Sequence, residues 1–487
     1  MSQLRNFRIV FSSVLLSWGL AIFIRFLMPR TLGPQILGDY GVAEAWAAML
    51  GTVAAWGFAT WISVHFASQK KHEARDATAI IHAQIFLGFL SFSVAMVCAI
   101  LFHYSNTVLV FLATLAISAV ATQIAEAASR MNEAAGHFDR VARIANPIRI
   151  VFGGTSAISL ALAFFGIIHP VVAAASVAIS TTLGEILRAT LTLKAAEISI
   201  FQAPQFSRAG SIAKDSIMLF VVGATPIVFA RVPQIILSRV PAAQSLLPNT
   251  ASEIGMLTAS LSLTIPLGVL VLGIQRVLVP AFSRAKEQGA EAFSKAFSDG
   301  TILVMAIVGL AASGLIICDN SVVELLFGER FLAARGVLRI TLLTVVVQYA
   351  SLLLVASAVA WRKERIAAIG AFVAFPVNVI LLLLFLRHGV FPTGAESVAW
   401  SSLIYEVLIV VVVWMRMKNI FKIGRGPIFS FVFALILATI SMVISRFTMG
   451  LTLEKQIAVV AATGIISLAA TAGVFGKSIL KIAKSWK

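Results

Sequence analysis

Residues 9–28 read IVFSSVLLSWGLAIFIRFLM, an apolar run interrupted by one charge, Arg25. A helix that crosses a membrane needs roughly 20 mostly apolar residues, so this run is long enough to span a bilayer. Thirteen further runs have the same character, at 41–66, 77–102, 108–128, 148–168, 171–193, 217–236, 254–274, 301–318, 337–361, 366–386, 398–415, 429–444 and 457–475. The sequence therefore predicts an all-α polytopic membrane protein with about 14 transmembrane helices.

The composition agrees with that class. Of the 487 residues, 59% are hydrophobic and 12% are charged, and the mean hydropathy is +0.97, which is far from the balance of a soluble globular protein. The formal net charge of +17 would suggest a nucleic-acid partner in a soluble protein. Here we attribute it to basic cytoplasmic loops, and we expect no nucleic-acid partner.

The basic residues alternate along the chain as the positive-inside rule requires. If the N-terminus is inside, most of the 38 Lys and Arg fall in the inner connections, and the outer turns at 103–106 and 169–170 carry none. Both termini are therefore predicted to be cytoplasmic. The basic tail at 477–487 is suited to contact anionic lipid headgroups at the inner face.

Arg25 has a counterpart in the second half of the chain. The separation from Arg8 to Arg25 equals that from Lys214 to Arg231, and each arginine closes a Phe-x-Arg triplet. Because an intramembrane charge is costly, such arginines usually face a bundle interior or a wet cavity. Neither apolar run carries an acid, so we expect each arginine to bind a partner from outside the chain. The alternative is that both side chains snorkel to the outer headgroups.

The matching arginines indicate two copies of one six-helix unit. Acid-x-glycine triplets at 39–41 and 253–255 follow the first span of each copy. Repeats that run in the same direction place the substrate site between the halves. We therefore expect an N-terminal lobe with spans 1–6 at residues 1–210, a C-terminal lobe with spans 7–12 at 211–420, and two additional spans with a basic tail at 421–487.

Short motifs in four parts of the chain carry a resemblance to a known family. They are Arg30-Thr31-Leu32-Gly33-Pro34 with Gly38-Asp39-Tyr40, Val279-Pro280 with Phe282-Ser283, Leu326-Phe327-Gly328 with Phe331, Ala334 and Leu338, and Gly389 with Gly394-Ala395 and Ala399. Together they resemble polysaccharide-type flippases of the multidrug, oligosaccharidyl-lipid and polysaccharide exporter superfamily. The resemblance runs over nearly the whole chain.

The resemblance implies two pseudo-symmetric six-helix lobes in a V shape around a central cavity that opens alternately to each face, plus two C-terminal helices. It implies a transporter that carries a polyprenyl-diphosphate-linked oligosaccharide from the inner to the outer leaflet of a bacterial cytoplasmic membrane, for export of a cell-surface or extracellular polysaccharide. Cation exporters of the same superfamily typically need an acid in the first span. The lack of an acid in 9–28 favours an anionic cargo.

Arginine suits such a cargo because it stays charged and its planar fork binds two phosphate oxygens together. Glu44 is a further candidate because it lies in an apolar run and faces no neighbouring base in the sequence. Amides within spans suit sugar hydroxyls, although such amides more often bond helices together. The predicted substrate-binding cavity residues are Arg25, Arg231, Glu44, Gln234, Gln348 and Asn378.

Four charged residues near span ends are secondary candidates. Asp39 and Glu253, like Glu44, are predicted as ion-pair partners when cargo is absent or as acids that bind a coupling ion. For Asp39 and Glu253 the alternative is acids at the positive ends of helices. Arg149 and Arg276 are predicted to recruit a diphosphate lipid from the inner leaflet, the alternative being ordinary positive-inside anchors. Pro226 and Pro233 flank Arg231 and predict a bend in span 7.

Nothing in the sequence indicates an enzyme. There is no zinc-ligand spacing, phosphate-binding loop or dinucleotide fingerprint, and the loops are too short for a catalytic domain. We expect no cofactor and no metal. The expected partners are a lipid-linked glycan, membrane lipids and, as further candidates, a polysaccharide polymerase and glycosyltransferases. The alternatives are a flippase for the peptidoglycan lipid precursor, a proton- or sodium-coupled multidrug exporter, and, from another class, a membrane-embedded glycan polymerase or ligase.

Overall fold

The structure is a computed structural model that describes residues 2–68, 74–199, 203, 205–448, 451, 452 and 454–465. Within these ranges the regular elements are α-helices and one 3-10 helix at Glu329–Phe331, which agrees with the predicted all-α class. The α-helices are α1 Ser2–Ala55, α2 Phe58–Ser68, α3 Ala74–Leu101, α4 Asn106–Ala134, α5 Phe138–Phe164, α6 Pro170–Ala195, α7 Phe206–Leu237, α8 Thr250–Glu287, α9 Ala290–Ile317, α10 Asp319–Phe327, α11 Ala334–Ala360, α12 Glu364–His388, α13 Gly394–Met417 and α14 Arg425–Thr448.

The helices follow the predicted apolar runs. Nine described helices are individually long and apolar enough to cross a membrane, and a bent pair within α7 raises the number to ten. The remaining predicted runs lie in α1, in α8 and at 457–475, of which the structure describes the helical part to residue 465. The protein is a multi-pass membrane protein.

Helix α1 contains the first predicted span and most of the second, separated by a kink. The kink is at Gly33, whose φ of 73° and ψ of 169° are non-helical. A positive φ favours glycine because it has no Cβ, and Pro34 follows directly. A second break, at Trp56 and Gly57 with φ of 42° and 73°, separates α1 from α2.

The chain folds as two compact units. The first comprises Met1–Pro241 and Leu247–Gly255, and the second comprises Ala242–Leu246 and Met256–Lys487. Helix α7 thus belongs to the first unit, although the predicted second repeat begins at residue 211. The predicted repeats are defined by the order of the spans along the chain, whereas the two compact units are defined by packing. The packing therefore does not test the repeats, and the lobes at 1–210 and 211–420 stay a prediction.

Contacts with α1 and α3 explain the placement of α7. Trp56 Nε1 donates to the carbonyl oxygen of Ala213 at 3.1 Å, and the Trp56 and Phe220 rings stack with centroids 4.4 Å apart. Arg208 on α7 donates through Nε and Nη2 to the two carboxylate oxygens of Asp76 on α3, at 2.6 and 2.7 Å. These bonds hold the start of α7 against the first unit.

Farther along, α7 bends by 42° between Leu219–Thr225 and Ile227–Leu237. Pro226 stands between the two segments. Proline lacks the backbone N–H that a continuous helix needs, so a bend is expected there. The predicted bend in span 7 is therefore present on the N-terminal side of Arg231.

In the second unit, helix α11 is the most extensively buried of the described spans. It packs against α9, α12 and α13, and α14 packs against α9. One end of this unit holds an aromatic cluster in which Phe293 contacts Phe421, Phe282 and Trp361 with centroids 4.6, 5.5 and 5.5 Å away.

Candidate functional site

Arg25 and Glu44 form an ion pair although both lie on α1. Nη1 of Arg25 donates to Oε2 of Glu44 at 2.8 Å, and Nη2 bonds Oε1. The two residues are 19 positions apart, which would separate them by about 28 Å along a continuous helix. Direct contact therefore requires the chain to fold back at the Gly33 kink. The side chains are 26% and 21% exposed, so the protein buries the pair only in part.

The alternative that Glu44 pairs with an arginine when cargo is absent is confirmed, and the expectation that the partner of Arg25 comes from outside the chain is wrong. It rested on the absence of an acid from the same apolar run, whereas the partner comes from the next run, which the kink brings alongside. Likewise Glu44, which has no neighbouring base in the sequence, faces Arg25 in the structure. The pairing depends on the backbone at Gly33, which the spacing of charges does not reveal.

Arg231 completes the site, which we call the Arg25–Glu44–Arg231 cluster. Its Nη1 donates to Oε1 of Gln234 at 3.3 Å, and Gln234 is buried. Arg231 is also near enough to act electrostatically on the Glu44 carboxylate. The predicted pair of arginines is thus brought together within the first unit. The cluster contains two guanidiniums and one carboxylate, which gives it an excess positive charge.

The polar face of α7 continues beyond Gln234. Ser238, one turn later, shares a hydrogen bond of 2.5 Å with the Tyr104 hydroxyl, and Trp46 Nε1 donates to the same hydroxyl at 3.5 Å. The Arg239 guanidinium lies 3.6 Å above the Tyr104 ring, a cation–π contact. Sequence reasoning missed this group because its members come from α1, α7 and the turn before α4.

Asp39 and Glu253 occupy different environments. Asp39 precedes the second predicted span and is half-buried, and burial raises the pKa of its carboxyl to about 6 because the charged form loses hydration. Glu253 is buried in the first turn of α8, where Asn249 Oδ1 accepts from the Ser252 amide at 2.8 Å. That position agrees with the alternative of an acid favoured by a helix N-terminus.

No contact with the cluster is described for the other predicted residues. Gln348 is the exposed residue in the middle of α11, and Asn378 on α12 is buried with no hydrogen-bond partner for Oδ1 among the described residues; both belong to the second unit. Arg149 is half-buried and lines a cavity of ≈ 210 Å³ between α1, α5 and α6, together with Glu185. The side chain of Arg276 lies outside the described residues.

The described side chains also bear on metal binding. In the part of the chain that the structure describes, no three His, Cys, Asp or Glu side chains are grouped closely enough to hold a metal ion.

The family model of the polysaccharide biosynthesis proteins matches residues 27–336, which is more than half of the chain and includes Glu44 and Arg231. The chain belongs to this family. No curated protein matches the sequence of this polysaccharide biosynthesis protein.

Solved structures share its fold. The lipid II flippase MurJ in an inward closed conformation superimposes with a TM-score of 0.73 and 17% identity, over 97% of this chain and 100% of that chain. An inward-facing multidrug resistance MATE family transporter of the MOP superfamily gives a TM-score of 0.61 and 14% identity, over 83% and 94%. With the family match, these similarities confirm the predicted membership of the flippase and exporter superfamily. The first of these proteins is a flippase and the second is a transporter.

Proposed function

We propose that this polysaccharide biosynthesis protein carries a polyprenyl-diphosphate-linked oligosaccharide from the inner to the outer leaflet of the cytoplasmic membrane by alternating access. The observation that carries the proposal is the Arg25–Glu44–Arg231 cluster, which combines an excess positive charge with incomplete burial. The family description, polysaccharide biosynthesis, supports a glycan as the cargo. The exported product would be a cell-surface or extracellular polysaccharide.

The cluster offers what a diphosphate needs inside a membrane. A diphosphate that enters an apolar environment loses its hydration, so the binding site must replace the lost hydrogen bonds. A guanidinium has five N–H donors, and Arg231 uses one in a long hydrogen bond to Gln234. Its remaining donors are suited to phosphate oxygens, which accept strong charge-assisted bonds.

Glu44 stabilises the site when no cargo is bound. Without cargo, its carboxylate satisfies two donors of Arg25 and limits the cost of an intramembrane charge. A diphosphate competes with Glu44 for the same fork. When the cargo leaves, Glu44 rebinds Arg25, so the ion pair favours release as well as entry.

The sugars and the lipid would contact other surfaces. Gln348 and Asn378 remain candidates for binding sugar hydroxyls, and Arg149 and Arg276 for recruiting the diphosphate lipid from the inner leaflet. A polymerase and glycosyltransferases remain candidate partners because they would use or supply the lipid-linked glycan. An inside-negative potential favours outward movement of an anion by about 2.3 kcal/mol per charge per 100 mV, and ion exchange is an equally suitable driving force.

The test compares three cargoes in vesicles that contain the purified protein. Leaflet transfer is measured for a labelled polyprenyl-diphosphate oligosaccharide, for the labelled peptidoglycan lipid precursor and for a cationic dye. We expect the oligosaccharide lipid to be transferred well above empty vesicles and the dye to remain at background. Transfer of the peptidoglycan precursor without the oligosaccharide lipid would favour the first alternative, and transfer of the dye without either lipid would favour a multidrug exporter.

A further inference from the structure

The first unit contains a cavity of ≈ 210 Å³ between α1, α5 and α6. An apolar cavity of about 150 Å³ is large enough to hold benzene, so this cavity can hold a group of about six carbon atoms. Two of the residues that line it, Ala21 on α1 and Thr181 on α6, are exposed. A molecule can therefore enter the cavity from outside the protein.

The walls of the cavity are mostly apolar. The larger side chains are Leu20 and Ile24 on α1 and Ile148 and Phe152 on α5. Helix α1 packs directly against α5 beside the cavity, because a Cβ on Gly153 would lie 2.2 Å from Cδ2 of Leu20. Closely packed helices thus enclose the space on this side.

The polar groups of the lining are largely satisfied by the protein itself. The hydroxyls of Ser156 and Thr181 each donate to the backbone carbonyl one turn earlier on their own helix, at 3.0 and 2.8 Å. The Glu185 carboxylate accepts from Nε and Nη2 of Arg188 at 2.8 and 2.6 Å. Because a buried water needs two to four polar partners, the lining suits an apolar chain better than water.

The cavity is close to the Arg25–Glu44–Arg231 cluster along α1. Ile24 directly precedes Arg25, and Ala21 is one turn before it, which is about 6 Å along the helix axis. In a polyprenyl diphosphate the first isoprene unit is bonded directly to the diphosphate, whereas in a phospholipid glycerol separates the phosphate from the acyl chains. A diphosphate at Arg25 therefore brings its first isoprene unit near the cavity. The half-buried Arg149 of the lining adds positive charge, which also favours an anionic lipid.

We propose that this cavity binds the isoprene unit next to the diphosphate of the cargo lipid, and that the rest of the chain leaves through the opening at Ala21 and Thr181. The inference rests on the proposed function, because it takes a polyprenyl diphosphate as the cargo. It adds a site that recognises the lipid carrier and not the glycan. Carriers with different sugars should therefore bind this cavity alike.

The Thr181→Phe variant tests the site, because the added ring occupies the cavity. Binding of labelled farnesyl diphosphate and of inorganic diphosphate is measured with the full-length protein in lipid nanodiscs, with empty nanodiscs as background. Burial of each methylene group contributes about fourfold in affinity, so farnesyl diphosphate should bind at least about tenfold more weakly to the variant. Inorganic diphosphate, which has no chain, should bind the variant and the parent equally.

The matched control is Thr190→Phe. Thr190 is also an exposed threonine of α6 whose hydroxyl donates to the carbonyl one turn earlier, at 2.9 Å, but it does not line the cavity. This variant should bind both ligands as the parent does. Equal binding of farnesyl diphosphate by Thr181→Phe and the parent would overturn the chain site. If the parent binds neither ligand, the proposed function fails and the chain site fails with it.

Photolabelling of the parent decides the question if Thr181→Phe does not fold. The probe is farnesyl diphosphate with a diazirine on the first isoprene unit, and labelled peptides are identified by mass spectrometry. We expect labels in the segments of α1, α5 and α6 that line the cavity, and their loss with excess unlabelled polyprenyl diphosphate. Labels confined to other helices, or equal competition by phosphatidylglycerol, would overturn the proposal.

Discussion

The Glu44 carboxylate accepts hydrogen bonds from the Arg25 guanidinium. This pairing changes how the charge of Arg25 acts on an anionic cargo. Each arginine in a span was expected to bind an external anion directly. In the structure, Arg25 has an internal partner and Arg231 has one weak hydrogen bond and an electrostatic interaction with the same acid. Any anionic cargo must therefore compete with Glu44, whose position sets the balance between binding and release.

The Glu44→Gln variant tests this competition. It removes the negative charge and leaves both guanidiniums in place, so a polyprenyl diphosphate should bind about tenfold more tightly, since charge-assisted hydrogen bonds are worth about 1.5–3 kcal/mol. Equilibrium binding of a labelled polyprenyl diphosphate to the detergent-solubilised protein measures the change. Asp139→Asn, which removes an acid from the exposed pair with Arg143, is the control. Unchanged or weaker binding by Glu44→Gln would contradict competition.

Asp39 predicts a pH dependence of stability. Burial raises the pKa of this carboxyl from 3.8 to about 6, so the folded state holds a proton that the unfolded chain releases earlier. The resulting stabilisation is complete below about pH 4 and is lost as the pH rises through about 6. The thermal unfolding midpoint of the parent should therefore fall more steeply over this interval than that of Asp39→Asn.

The control for Asp39→Asn is Glu291→Gln, whose carboxyl is exposed. This variant should follow the pH dependence of the parent protein. Equal slopes for the parent and Asp39→Asn would show that the carboxyl does not change its protonation on unfolding.

Part of the site was predictable at the level of single residues. The equal spacing of Arg25 and Arg231 from basic anchors identified two side chains that the structure brings together. Glu44 was named as one of three possible ion-pair partners, but the choice of Glu44 over Asp39 and Glu253 was not predictable, because it depends on the positive φ of Gly33.

Helices α1 and α8 approach each other closely at two glycines. A Cβ on Gly38 would lie 1.7 Å from the carbonyl oxygen of Ala251, and a Cβ on Gly255 would lie 1.9 Å from that of Pro34. Small residues four positions apart on each helix let the backbones approach closely, as in other membrane helix pairs. The two acid-x-glycine segments noted in the sequence thus lie beside each other in the first unit.

Gly38→Ala tests this crossing. The added methyl group has no space against backbone atoms, so the helices must separate, at a cost of about 1–3 kcal/mol. We expect a lower thermal unfolding midpoint in detergent. Gly154→Ala is the control, because nothing lies within 4 Å of a Cβ at that position on α5, and alanine favours a helix. A Gly38→Ala midpoint equal to the parent's would show that the crossing is not tight.

The positions of the helices were predictable because a long apolar run indicates a membrane span, whichever helices pack against it. Several motif residues also have clear local roles. Gly328 has a φ of 86° between α10 and the 3-10 helix, and Gly389 caps α12 with a φ of 58°. The separation of the first two predicted spans is confirmed, since Gly33 between them has non-helical dihedral angles.

On the scale of the whole molecule, the grouping of helices differs from the order of the repeats. Counting spans places α7 in the second half, whereas the Trp56 and Arg208 contacts place it in the first unit. Contacts between distant segments, such as Arg208 with Asp76, are determined by tertiary packing and have no local sequence signal. The class and the family followed from composition and motifs, because those properties sum over many residues.

Leaflet transfer by the Arg25→Ala, Arg231→Ala double variant tests the central claim most directly. Vesicles with equal amounts of parent, double variant or Arg143→Ala protein receive a labelled polyprenyl-diphosphate oligosaccharide. Arg143 is the control because its side chain is 81% exposed and pairs with Asp139 within one helix. Loss of charge-assisted bonds worth about 1.5–3 kcal/mol each predicts transfer at least about tenfold slower for the double variant and unchanged for Arg143→Ala. Equal transfer by the folded double variant and the parent would contradict the anion site.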